Sequence, residues 1–244
     1  RAVTRMFPYP LDRFQRRAVR ASVAGRDVVV CAPTGAGKTA VAAAAALAAL
    51  ARGERVIYTT PLKALSNQKL GELRAIFGPA RCGLQTGDAT LNPEAAVVVM
   101  TTEVLRNIML RVPVAAGVAE GGEGGGDADP SSTTTPTLDA STPPPSRLAD
   151  VGLIVLDEVH YLGDPSRGTV WEEAVMAAPG RCSLLAMSAT VRNPADLGAW
   201  IAAVHRPCDT IVTASRPVPL TWAWASSGGG RGVGAATLTP LLAR

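Results

Sequence analysis

At 244 residues, 47% of them apolar, the chain is long enough to bury one large α/β core. Its net charge of +4 conceals an asymmetry: residues 119–150 hold six acids against Arg147 alone, and the remainder carries 23 basic and 14 acidic residues, a charge of +9 that suits a polyanionic partner such as nucleic acid. The scattered Cys31, Cys82, Cys182 and Cys208 form no C-x-x-C pair, which excludes a zinc ribbon or disulfide framework, and the longest apolar stretch, Ala40 to Ala51, is too short to span a bilayer.

No signal-peptide layout is present, so a soluble domain that is not secreted and meets no membrane is expected, and the first residue, Arg rather than Met, marks a piece of a longer protein. The apolar run Asp27 to Ala32 reads as a buried strand. It leads into Ala32-Pro33-Thr34-Gly35-Ala36-Gly37-Lys38-Thr39, a phosphate-binding loop of the form G-x-x-x-x-G-K-[ST] in which Ala32 replaces the first glycine. Small residues let backbone N–H groups curl around an anion, and the helix N-terminus behind them adds about half a positive charge. Lys38 is placed to reach the β- and γ-phosphates, and the Thr39 hydroxyl to ligate Mg²⁺.

Helix Ala40 to Arg52 follows, closed by Gly53, then strand Arg55 to Thr60, helix Pro61 to Phe77 closed by Gly78, strand Ala95 to Thr101 and helix Glu103 to Leu110. The next stretch is Gly-rich, then Ser/Thr-rich, then Pro143-Pro144-Pro145. It lacks the composition to bury a core and is read as a disordered insertion, residues 114–149. Strand Gly152 to Asp157 ends in Asp157-Glu158-Val159-His160. A carboxylate at the end of a buried strand beside a phosphate loop is where Mg²⁺ would be held. Asp157 is therefore the metal-side acid, and Glu158 is placed to orient and deprotonate the water that attacks a γ-phosphate. Strand Ser183 to Met187 runs into Ser188-Ala189-Thr190, whose small hydroxyls are expected to bond the Asp157-Glu158 region and report nucleotide state. Helix Asn193 to Val204 has Asn193 at its N-cap, Pro194 at its first position and Leu197, Trp200 and Ile201 at core-facing spacing. Strand Thr210 to Thr213 precedes a Gly-rich tail. Continuous apolar strands alternating with helices predict an α/β fold whose central sheet is mainly parallel, with helices on both faces.

Together these motifs resemble the first RecA-like domain of superfamily 2 DExH helicases, within them the Ski2-like RNA helicases. Gln15 in Leu11-Asp12-Arg13-Phe14-Gln15 is similar to the family's adenine-reading glutamine, and Ala at the first loop position is common in this superfamily. Thr59-Thr60-Pro61-Leu62-Lys63-Ala64-Leu65-Ser66-Asn67-Gln68 is similar to its motif Ia, Thr101-Thr102-Glu103 to motif Ib, and Gly87-Asp88 to a further strand-contacting element. Arg167-Gly168-x-x-Trp171-Glu172-Glu173 and Arg216-Pro217-Val218-Pro219-Leu220 extend the likeness, which is nearest to the plastid-type helicase of plants and algae.

The resemblance implies a RecA-like ATP-binding domain over residues 1–222, with 223–244 a tail or linker into a missing region. It implies ATP and Mg²⁺ as cofactors, with Lys38, Asp157, Glu158, His160, Ser188 and Thr190 in catalysis. Gln15 and the loop Ala32, Pro33, Thr34, Gly35, Ala36, Gly37, Lys38 and Thr39 would hold the nucleotide. Pro61, Lys63, Ala64, Gly87, Asp88, Thr101, Thr102 and Glu103 would meet a single strand, RNA in preference to DNA. The arginine box of a second RecA-like domain is not found in this chain. A plastid is the location that goes with the resemblance, with nucleus or cytoplasm as alternatives. Two other readings stay open: a DNA repair helicase of the Hel308-like branch, and a nucleotide-binding scaffold without catalysis.

Overall fold

The computed structural model describes residues 7, 9–110, 148–164, 168–189, 191–216, 223–226 and 237–240. Strands β1 (Asp27–Cys31), β2 (Arg55–Thr60), β3 (Cys82–Gln85), β4 (Thr90–Leu91), β5 (Val97–Thr101), β6 (Val151–Leu156), β7 (Ser183–Ser188) and β8 (Cys208–Val212) form one sheet in the order β4-β3-β5-β2-β6-β7-β1-β8. All neighbours are parallel except the short edge strand β4, which runs antiparallel to β3.

The helices are α1 (Arg13–Val23), α2 (Lys38–Ala51), α3 (Lys63–Phe77), α4 (Thr102–Met109), α5 (Gly168–Met176) and α6 (Pro194–Val204). Two apolar clusters show why the central strands are apolar at every position. Val28, Val30, Tyr58, Val99, Val155 and Met187 join one cluster with α1, α2 and α3. Their neighbours Val29, Ile57, Val98, Ile154 and Ala186 join the other with α4, α5 and α6. Side chains alternate between faces along a strand, so a sheet covered on both faces needs apolar residues throughout.

The alanines of α2 are explained by crowding. Ala40 and Ala42 through Ala46 are buried together with Val41, because α2 is wedged between the sheet and α1. Methyl side chains let the backbones approach, and alanine has the best helix propensity. Helix α1 went unrecognised in the sequence because it is arginine-rich, yet Phe14, Gln15, Ala18, Val19 and Ser22 form a buried stripe at helical spacing. Helix α5, buried through Trp171, Ala174 and Val175, also went unrecognised, as did β3 and β4, which are short.

Helix α6 begins as expected, with Asn193 at the N-cap and Pro194 at the first position, although the Asn193 side chain makes no capping bond. Leu148 is buried and 148–150 form the turn into β6, so residues 148 and 149 belong to the folded part. The rest of the predicted insertion, 114–147, lies outside the described residues. Within the stretch read as a Gly-rich tail, β9 (Ala223–Ser226) pairs antiparallel with β10 (Thr237–Pro240) as a separate two-stranded sheet.

Candidate active site

Because β1, β2, β5, β6 and β7 are parallel, their C-terminal ends share one edge of the sheet. That edge collects the phosphate loop after β1, Pro61 after β2, Thr101 and Thr102 at the end of β5, Asp157 and Glu158 after β6, and Ser188 closing β7. Ligands of open α/β sheets bind at this edge.

In the loop, Gly35 and Gly37 have φ of 82° and 83°, a left-handed backbone that other L-residues adopt only with strain. A Cβ on Gly37 would also lie 2.6 Å from Gln15 Nε2. Gln15 is buried and clasps the loop, donating to the Gly37 carbonyl at 3.1 Å and the Ala36 carbonyl at 3.4 Å, while its Oε1 accepts from the Asp12 N–H at 2.8 Å. Both ends of the amide thus bond within the protein, fixing the loop against α1. A cleft of about 500 Å³, lined by Arg13, Phe14, Arg17, Thr213 and Ser215 among others, opens beside it.

Lys38 Nζ folds back on its own loop, donating to the carbonyls of Ala32 at 2.8 Å and Pro33 at 3.3 Å. Burial pulls the pKa of its ammonium below the ordinary lysine value, opposed by the carboxylates of Glu158 and Asp157. Thr39 Oγ1 accepts a hydrogen bond from Lys69 Nζ at 3.2 Å.

Asp157 is held at both oxygens. Tyr58 donates its hydroxyl to Oδ2 at 2.6 Å, and the Glu158 N–H donates to Oδ1 at 3.0 Å. Burial, then the Asp157 charge, pushes the Tyr58 pKa well above its ordinary value, so the phenol remains a donor. Glu158 sits at φ 56°, a left-handed conformation that costs a glutamate about 1–3 kcal/mol and that clusters at functional sites. Its carboxylate lies 3.2 Å from His160 Nδ1.

The structure corrects one expectation and leaves another outside its reach. Ser188 Oγ is buried with no hydrogen-bond partner among the described residues, so it does not bond the Asp157-Glu158 region; instead the Ser188 carbonyl accepts from the Ala32 N–H at 3.2 Å, tying β7 to the loop. Thr190 lies outside the described residues, as do Pro165 to Arg167 and Pro217 to Leu220.

Among the expected strand contacts, Lys63 and Ala64 are exposed at the start of α3, and Lys63 pairs with Asp88 at 3.1 Å, which brings Gly87-Asp88 to that helix start. The Thr86 hydroxyl and then Lys63 hold the Asp88 pKa below the carboxylate range. Pro61, Thr101 and Thr102 are buried, and the Thr102 hydroxyl donates to the Thr60 carbonyl at 3.3 Å, so its side chain braces β2. Glu103 is half-buried in the first turn of α4.

Thr39 and Asp157 offer hard oxygen donors, and among the described residues no cluster of three or more His, Cys, Asp or Glu forms a metal cage. That donor set fits Mg²⁺, which keeps waters and binds through one or two protein oxygens plus substrate phosphates. Sequence reasoning missed Tyr58 and Lys69. Lys69 directly follows the Gln68 that ends the motif Ia match, so the signal stopped one residue short.

A sequence model described as DEAD/DEAH box helicase matches residues 12–197. The chain belongs to this helicase family. Over 217 residues, 89% of the chain, it is 45% identical to a protein of Arabidopsis thaliana named DExH-box ATP-dependent RNA helicase DExH15, chloroplastic. It is 38% identical, over 88% of its length, to ATP-dependent RNA helicase mtr4 of Schizosaccharomyces pombe. The chain spans 16% of the length of each of these two relatives. The crystal structure of a DUF1998 helicase, MrfA, bound to DNA superposes with a TM-score of 0.62 at 18% identity, covering 87% of this chain and 28% of that one, which shows a shared helicase fold. As a DExH helicase domain, the chain carries the D-E-V-H box of the Ski2-like branch at the sheet edge where its phosphate loop lies.

Proposed function

We propose that this chain is the ATP-binding first RecA-like domain, residues 1–222, of a Ski2-like RNA helicase that couples ATP hydrolysis to movement along a single strand. The observation that carries the proposal is the meeting of Lys38 and Thr39 with Asp157 and Glu158 at one sheet edge, with Tyr58 fixing the Asp157 carboxylate. A scaffold without catalysis has no physical need for all four.

In this reading Lys38 exchanges its bonds to the Ala32 and Pro33 carbonyls for the β- and γ-phosphates. Thr39 and Asp157 hold Mg²⁺, which neutralises charge on the phosphates when bound. Glu158 takes the proton of the attacking water, and His160, in contact with its carboxylate, orients it. The start of α3, with Lys63, Ala64 and the paired Asp88, meets strand phosphates and gives affinity without sequence readout. A second RecA-like domain supplies the arginines that meet the γ-phosphate, and without them turnover is slower by roughly a thousandfold or more. A plastid location goes with the plant relative's name.

ATP turnover by the full-length protein, measured alone and with single-stranded RNA or DNA of one sequence, tests the reading. Stimulation by RNA above that by DNA is expected, and loss of turnover in Glu158→Gln. Unchanged turnover in Glu158→Gln would sink the enzymatic assignment, and stimulation by DNA alone would transfer it to a DNA helicase.

A further inference from the structure

Helix α3 reaches the nucleotide edge a second time six residues beyond Lys63, about 1.7 turns along. The Lys69 side chain is only 12% exposed, and its ammonium has three partners. It donates to Glu72 Oε2 at 2.7 Å and to Thr39 Oγ1 at 3.2 Å, and it sits over the Tyr58 ring, 5.6 Å from the centroid. Tyr58 in turn donates to Asp157 at 2.6 Å. The two groups that would ligate the metal are therefore joined through one lysine and one tyrosine.

A lysine on a four-carbon stem has an easy route to solvent, and drawing its ammonium inward costs hydration that its partners must replace. Glu72 supplies the balancing charge and the tyrosine face adds cation–π attraction. The third partner is the informative one. A hydroxyl oxygen that accepts from an ammonium presents the same lone pairs to a divalent cation. The charge of Lys69 also reaches Lys38, whose ammonium it helps to destabilise.

We propose that Lys69 is a positioning residue whose ammonium stands in for the divalent cation at Thr39 and is displaced when the metal–nucleotide complex loads. The proposal rests on the ATP and Mg²⁺ reading of this site. Because Lys69 rides on α3, whose first turn carries Lys63 and Ala64, its displacement links metal loading to the helix that meets the strand. Such linkage is reciprocal: strand binding that shifts α3 changes metal affinity by the same factor.

Two cations sharing one oxygen repel, and at contact distances near a protein surface that repulsion exceeds the gain from a single hydrogen bond. Glu72 offsets part of it, so removing the Lys69 charge should tighten metal binding. The test is calorimetric titration of the full-length protein with ADP, first in EDTA and then at stepped MgCl₂. In Lys69→Met the Mg²⁺ concentration giving half the enhancement of ADP binding is expected to fall about tenfold, whereas Lys69→Arg, which keeps the charge, stays within about twofold. Far-ultraviolet circular dichroism reports whether each variant is folded, and ADP affinity in EDTA should stay within about threefold in Lys69→Arg, which keeps the charge. Glu72→Gln leaves Lys69 unbalanced and is expected to shift the half-point upward. An unchanged or raised half-point in folded Lys69→Met overturns the proposal. If Lys69→Met does not fold, an unchanged or lowered half-point in Glu72→Gln overturns it. If the unaltered protein binds no ADP, or binds it equally with and without Mg²⁺, the underlying ATP and Mg²⁺ reading fails instead.

Discussion

Replacing Tyr58 by Phe removes one oxygen from the site and leaves the ring in place. Tyr58 is 2% exposed and donates to Asp157 at 2.6 Å, a charge-assisted bond in a region that excludes most water. Such bonds contribute about 1.5–3 kcal/mol net. Asp157 is only half-buried and keeps the Glu158 N–H, so water can partly replace the phenol and the lower end applies, about 1.5 kcal/mol. For a domain of this size that corresponds to a fall in Tm of roughly 3–6 °C. If Asp157 holds Mg²⁺ as proposed, the same loss of restraint predicts a drop of roughly tenfold in Mg²⁺-dependent kcat. Differential scanning calorimetry and steady-state ATP turnover measure the two effects on one preparation. A Tm within 1 °C or so of the unaltered protein, together with kcat within about twofold, would refute the claim that Tyr58 holds Asp157 in place.

Gly37→Ala places a Cβ on a left-handed residue and against Gln15, so ADP affinity in a fluorescence titration should fall at least about tenfold, with little change in far-ultraviolet circular dichroism. His205 and Asp27, 3% and 0% exposed at their side chains, form a 2.6 Å pair at the opposite end of β1. His205→Leu strands a buried carboxylate there and is expected to cost about 3–5 kcal/mol in denaturant unfolding, without altering ADP affinity in the protein that remains folded. Burial pushes the Cys182 thiol up to about 11 from 9.0, which reduces its thiolate near pH 8 by about a hundredfold. Alkylation of Cys182 should be correspondingly slow until the chain unfolds, as followed by mass spectrometry. Raised folded-state values for Tyr58 and Cys182 also mean that the folded state holds protons more tightly than the unfolded chain. The stability from Cys182 is present below pH 9 and is lost through about pH 11, whereas that from Tyr58 is lost only above pH 10, so alkaline titration of Tm should show a fall that is smaller at its upper end in Tyr58→Phe.

The parallel sheet was legible because the strands are buried on both faces: Val28 through Val30, or Leu153 through Leu156, are apolar at every step, and that pattern survives without any knowledge of partners. The loop and the Asp157-Glu158 pair were legible because their chemistry is local, a run of small residues before a helix and a carboxylate at a strand end. What the sequence concealed is what depends on tertiary approach. Helix α1 hides its buried stripe among arginines, and nothing in the local sequence shows that its Gln15 also clasps the Ala36 and Gly37 carbonyls. The bond from the Thr102 hydroxyl to Thr60 likewise depends on the closeness of β2 and β5, which no local pattern reveals. Tyr58 and Lys69 carry no pattern of their own, and only the adjacency of β2, β6 and α3 makes them neighbours of Asp157 and Thr39.

On the proposed ATP reading, these bonds also set how tightly the domain would hold nucleotide by itself. Lys38 already donates to two carbonyls, and Lys69 already donates to Thr39, so an incoming phosphate and its cation replace existing bonds rather than filling open valences. Each charge-assisted bond that breaks offsets about 1.5–3 kcal/mol of the one that replaces it, a factor of roughly ten to a hundred in affinity. The loop would therefore bind on the difference between two satisfied states. An outside group that favours the loaded one, such as a γ-phosphate-contacting arginine from a second domain or a strand drawn against α3, would act on that difference directly. Such a group should raise ATP affinity in proportion to its own preference for the loaded state, and ADP, which lacks the γ-phosphate, should gain less from the arginine than from the strand.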